Sequence, residues 1–121
     1  MNTLFMAAMI IEAVFALGFI AIPGVMMGQF GVVLNDAAAV FARLFGSALL
    51  SLPVLLWFGR RSTRPEFKTA VARVLFMYYL PSTPILLLTQ TAGLMNARGW
   101  SIIALHLVFL VWFGVYAFKK N

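Results

Sequence analysis

The stretch LFMAAMIIEAVFALGFIAI (Leu4–Ile22) decides how this chain has to be read. It is a continuous apolar run, and about 20 helical residues cross a bilayer core about 30 Å thick. Its one charge, Glu12, sits near the middle, and the run stops at Pro23-Gly24. Three further runs qualify on the same grounds: Ala37–Phe58, Ala70–Thr89 and Trp100–Phe118. Asn35 or Asp36 stands where it can cap the second. The expected fold is all-α, an integral membrane four-helix bundle forming a single transmembrane domain over 1–121, with a basic loop at 59–69.

Composition leads to the same place. A soluble domain is about 45–50% apolar and about 25% charged; here the figures are 64% and 10%, with a mean hydropathy of +1.01. A domain of 121 residues has too much surface per unit volume to hide that surplus from water. The chain has no cysteine, which excludes disulfides, thiolate catalysis and cysteine metal sites. One histidine and three acids make a metal site in a single chain unexpected, and no cofactor is expected.

The net charge of +6 is distributed as a topology signal and not as a nucleic-acid footprint. GRRSTRPEFK (59–68) carries Arg60, Arg61, Arg64 and Lys68, Arg73 follows just inside the next run, and the tail adds Lys119 and Lys120. The opposite side holds Arg98. The bias predicts that the basic loop and both termini are cytoplasmic, in a cell inner (plasma) membrane. A cleaved signal peptide is the competing reading of the first run. It is disfavoured because no basic segment precedes the run, no A-x-A site follows it, and Glu12 interrupts it.

Two places are irregular. PGVMMGQFGVVLN (Pro23–Asn35) is too apolar for a free aqueous loop and is expected in the interface or tucked between helices. Gly24 and Gly28 have G-x-x-x-G spacing, but they follow a proline outside a span, so a dimer motif is disfavoured. MYYLPSTP (Met77–Pro84) puts Pro81 and Pro84 inside the third run, which predicts a kinked helix with Ser82 and Thr83 bonding the freed carbonyls. A gate or a ligand-lining break is the sharper alternative.

Glu12, Arg43 and His106 are the ionisable residues within spans. Each costs on the order of 2.5–3.5 kcal/mol at a helix centre, which argues against unpaired exposure to lipid. At 1.5 Å per residue, Glu12 lies roughly 15 Å, and Arg43 and His106 about 9 Å, below the outer ends of their spans. Arginine's long side chain makes up the difference. Small neighbours (Ala8 and Ala16 around Glu12; Ala39, Gly46 and Ser47 around Arg43) favour inward faces. The three are therefore expected in one buried polar cluster, a candidate ligand site, with Tyr78 and Tyr79 supplying hydroxyls from the midplane.

Three roles compete for that cluster. The first is a structural Glu12–Arg43 ion pair that sets helix register. The second is a ligand or proton site, in which the carboxyl changes protonation with occupancy and His106 serves as proton partner. The third is an enzyme using Glu12, His106 and Arg43 as acid, base and electrophile, supported by no reaction-specific motif. The sequence shows no internal repeat of the kind that builds an inverted-repeat transporter.

IIEAVFALGF with Glu12, ARLFGSALLSLPVLLWFGR with Arg43, Gly46, Trp57 and Arg60, and LHLVFLVWFG with His106 resemble the motifs of uncharacterised bacterial small four-transmembrane-helix membrane proteins. The resemblance implies the topology and points to the same three residues, and it carries no activity. MYYLPSTP departs from that pattern: Tyr79 stands near where an asparagine is common, and the two prolines are unusual. A weaker, local similarity links IIEAVFALG to the first helix of small multidrug resistance transporters, whose glutamate exchanges protons for cationic drugs. Arg43 would oppose such a substrate.

The leading functional expectation is thus a non-enzymatic accessory, structural, lipid-binding or small-ligand-binding membrane protein. The alternative is a proton-coupled small transporter working as an oligomer through Glu12. The expected partners are the lipid bilayer, anionic lipid at Arg60, Arg61, Arg64 and Lys68, and a homo-oligomer or larger membrane complex; no nucleic acid is expected.

Overall fold

The computed structural model describes residues 1–120. Six helices follow one another: α1 (Asn2–Ala21), α2 (Pro23–Gly28), α3 (Asp36–Leu49), α4 (Ser51–Arg61), α5 (Pro65–Thr91) and α6 (Gly99–Phe118). Among the described residues, four segments are long and apolar enough to cross a membrane: α1, α3 with α4, α5, and α6, with mean hydropathies from 1.5 to 2.4. Only 22–33% of each apolar window is buried within the chain. The rest is an outward apolar surface that includes Val14, Leu17, Phe41, Leu88 and Val111. This is the surplus that composition had pointed to, and no water-soluble packing would leave it outside.

The second span covers the expected run as Asp36–Arg61, with one irregular turn at Leu50. Asn35 caps it, its side-chain oxygen accepting from Ala38 N–H at 2.8 Å; Leu50, between α3 and α4, keeps helical dihedrals (φ −61°, ψ −22°), and its N–H donates to Gly46 O at 3.0 Å. Pro53 is the physical reason for that turn: it has no N–H for the Leu49 carbonyl. The Ser51 hydroxyl donates to Ala48 O at 2.6 Å and does not serve the Leu49 carbonyl.

The third span runs helically through both Pro81 and Pro84, and it is longer than 70–89, starting at Pro65. Ser82 and Thr83 do bond backward, but their hydroxyls reach the Tyr78 and Tyr79 carbonyls, at 2.9 and 2.7 Å. The carbonyls that the prolines deprive of an amide are those of Met77 and Leu80, one residue away. The expectation about the freed carbonyls is corrected accordingly: a hydroxyl on a helix reaches the i−4 carbonyl of its own residue, and not that of a neighbouring proline.

The spans pack in ring order. α5 lies along α6, α1 lies along α3 and α4, α4 meets α5, and α1 meets α6 only briefly. The half of the bundle that contains α4 and the start of α5 is solid. There Leu4, Phe5, Ala8, Leu56, Val71, Ala72 and Leu75 close around Phe109 and Phe113. Tyr79 tops this plug, stacked on Phe109 and Phe113 with centroids 5.5 and 5.9 Å apart.

The ends differ in kind. At the plug end the N-terminal ammonium donates to the Tyr116 hydroxyl (3.2 Å), Lys68 to Asn2 (2.8 Å), and Arg73 to the Ala117 carbonyl (3.1 Å). Both chain ends and the basic connection therefore lie together. At the other end α2 and the segment after it are tied to the 92–98 connection: Asn96 N–H donates to Phe30 O at 2.8 Å, and the Arg98 guanidinium to Gln29 Oε1 at 2.9 Å. Gly31 and Gly93 make the turns, each with φ near +75°, which side chains with a Cβ rarely adopt.

Gly46 lets α3 approach α1 closely. A Cβ there would stand 2.8 Å from Phe19 Cβ and 2.9 Å from the Ala16 carbonyl. Neither Gly24 nor Gly28 has anything within 4 Å of such an atom, so nothing packs on their G-x-x-x-G spacing within the chain. Gly46→Ala is expected to destabilise the bundle by about 1–3 kcal/mol through overpacking, while Gly24→Ala is close to neutral. Thermal unfolding in detergent micelles checks both.

Candidate functional site

Above the plug the helices enclose a cavity of about 310 Å³. α1, α3, α5 and α6 form its walls, and Met27, Phe30 and Met95 reach in from the two tied connections as a roof. The lining is apolar and notably aromatic, with Phe15, Phe19, Phe30 and Phe45. Four polar side chains break it: Glu12, Tyr78, Ser82 and His106.

Each arrives by helical register. On α1 the buried residues Leu4, Ala8, Glu12 and Ala16 recur every fourth position, so Glu12 sits on the face that also makes the core. On α6 the buried stripe is Gly99, Ile103, His106, Phe109, Phe113 and Ala117. On α5 it is Val71, Leu75, Tyr79 and Thr83. Glu12, Tyr79 and His106 are 4%, 1% and 7% exposed. They meet where the solid half gives way to the cavity.

The Tyr79 hydroxyl donates to Glu12 Oε1 across the diagonal of the bundle, where the α1 and α5 backbones do not touch. His106 sets its ring edge against Tyr79, centroids 5.2 Å apart, with Tyr78 at 6.2 Å. His106 Nδ1 lies 2.9 Å from the Ile102 carbonyl. A carbonyl only accepts, so Nδ1 carries a proton, and in the neutral form of the ring Nε2 keeps its lone pair. Ser82 spends its hydroxyl on the backbone. Glu12 Oε2, the Tyr78 hydroxyl and His106 Nε2 have no hydrogen-bond partner among the described residues, and all three side chains line the cavity.

Of the expected cluster, then, Glu12, His106, Tyr78 and Tyr79 come together and Arg43 does not. Arg43 is exposed on α3, and no ion pair joins it to Glu12 among the described residues; its backbone carbonyl accepts from Ser47 at 3.1 Å. α3 packs inward through Gly46 and Leu49, with Ala42 half-buried. At 3.6 residues per turn that face lies roughly 100° around the helix from Arg43. Small residues flank both faces, which is why they misdirected the sequence reading.

Ser82 and the roof residues Met27, Phe30 and Met95 were not expected at the site. The apolar character of Pro23–Asn35 was the available signal for the first two of that roof. The residues of the basic loop lie at the plug end. Arg61 stacks over Trp57 at 4.3 Å, Arg64 is exposed, Arg60 is half-buried, and Lys68 is held by Asn2.

Tyr79→Phe leaves the Glu12 carboxyl without its donor and is expected to cost about 0.5–2 kcal/mol, the range for an interhelical hydrogen bond in a membrane bundle. Arg43→Gln leaves the unfolding midpoint unchanged. A structural ion pair between Glu12 and Arg43 would give the opposite ranking in the same melting experiment.

Compared with protein-family models, curated proteins and solved structures, the chain finds no match in any of the three.

Proposed function

We propose that this chain is a multi-pass membrane protein that binds a small amphipathic ligand inside its bundle, without turning it over. The observation that carries this reading is the cavity, whose apolar and aromatic wall converges on Glu12, Tyr78 and His106, each with unused hydrogen-bonding capacity. Its volume of about 310 Å³ falls at the lower end of small-molecule sites.

In the same reading the basic loop and both termini face the cytoplasm, following the cation bias, and the arrangement resembles that of the small four-span bacterial inner-membrane proteins. Arg61 and Arg64 then meet anionic headgroups, at about 1 kcal/mol per cation. Leu49, on the α3 wall, is 3% exposed, and an indole there fills the cavity. Native mass spectrometry of protein released from mild detergent is expected to show a small co-purified species with the wild-type chain and none with Leu49→Trp. Wild-type protein that carries no small molecule, and takes none up from a lipid extract, would defeat the proposal.

One observation favours a second reading, proton-coupled transport by an oligomer. The Glu12 carboxyl has a tyrosine for a partner and no cation, and its second oxygen is free toward the cavity. Such a carboxyl can gain and lose a proton as a ligand arrives. In proteoliposomes under a pH gradient, Glu12→Gln is expected to abolish coupled uptake while leaving the helical bundle folded. Equal uptake by both forms would remove the transport reading.

A further inference from the structure

The cavity has a roof and a floor, and two of its four sides are loosely packed: α1 meets α6 only briefly, and α3 does not meet α5. Its floor is the aromatic plug. Its roof is stapled by Asn96 N–H to Phe30 O (2.8 Å), Asn96 Nδ2 to Gln29 O (3.1 Å) and Gln90 Nε2 to Asn96 O (3.1 Å). Among the walls, α1 packs on α3 and α5 packs on α6. Although α4 meets α5 in the solid half, no Cα of α3 comes within 8 Å of one in α5. The two spans diverge above Leu50. Phe45 of α3 and Ile85 of α5 line the cavity and are also 45% and 61% exposed on the bundle surface. A gap between two lipid-facing helices leads to the bilayer interior, and not to water.

The polar end has a definite hydrogen-bonding sense. His106 Nδ1 is committed to Ile102, leaving Nε2 of the neutral ring as an acceptor. The unpartnered Tyr78 hydroxyl beside it, with ring centroids 6.2 Å apart, can donate. A hydroxyl group satisfies both, giving its proton to Nε2 and accepting from Tyr78. The four phenylalanines around it favour an aromatic body through offset and edge-on packing.

We propose that the cavity takes a hydroxyaromatic molecule dissolved in the membrane. It is admitted sideways between α3 and α5, and its hydroxyl is read by His106 and Tyr78. The inference rests on the ligand-binding reading above and assigns that site its ligand class and its route.

Because the chain has no cysteine, Leu86→Cys places a single thiol on the cavity wall, and its alkylation by a membrane-permeant maleimide in phosphatidylcholine nanodiscs reports occupancy. At matched mole fraction in the lipid, 4-hexylphenol is expected to protect this thiol at roughly tenfold lower concentration than hexylbenzene, the worth of one satisfied polar group. In His106→Phe that preference falls to parity. Narrowing the side gap with Phe45→Trp and Ile85→Trp slows alkylation roughly tenfold, about 1.4 kcal/mol of barrier, whereas Val33→Trp on the outer connection has no effect. Where the double variant fails to fold, Ile85→Trp alone must slow the reaction. Equal protection by both probes overturns the hydroxyl assignment and leaves a cavity that binds ligands. No protection by either overturns that cavity reading together with the inference. An unchanged alkylation rate in the tryptophan variants overturns the lateral route.

Discussion

The hydrogen bond from Tyr79 to Glu12 is the interaction on which the rest of the bundle is arranged. A carboxyl in the middle of a span is costly unless it has a partner, and lipid supplies none. The partner comes from α5, whose backbone does not touch α1, so a long side chain has to bridge the diagonal. A tyrosine is suited to this because its ring fills the apolar distance while its hydroxyl makes the polar contact. The ring also stacks on Phe109 and Phe113, so one side chain both completes the core and satisfies the carboxyl.

This bridge also divides the molecule. On one side of Tyr79, large side chains pack without space, and the short basic connection between α4 and α5 holds the spans together. On the other side α3 and α5 separate, and the cavity results. Both α3 and α4 lie along α1, and of the two only α4 also meets α5. The roof residues hang from connections that are bonded to each other, which keeps the far end closed although the spans beneath it diverge.

Much of the fold was legible in the linear chain because lipid imposes a simple rule. Every backbone polar group in the hydrocarbon must be satisfied within its own helix, so apolar length alone marks the spans. The same rule identified Glu12 and His106 as residues that had to face inward. It did not identify their partner. Charge pairing nominates Arg43, and the small residues flanking it point the same way, yet α3 turns the Gly46 and Leu49 face inward and leaves Arg43 outside. Rotation of a helix about its axis is decided by packing against neighbours, and a span that is apolar all round carries little record of it.

The sequence by itself determined four membrane-length helices, their asymmetric charge and the few polar groups that needed shelter, because those follow from transfer free energies summed residue by residue. Only the tertiary structure decided that Glu12 is met by a phenol and not by a guanidinium, that the second span has an irregular turn at Leu50, and that a cavity stands beside the polar groups. These depend on how far apart two backbones come to rest. That distance is set jointly by side chains distant in the chain, such as Gly46 against Phe19 and Tyr79 against Phe113.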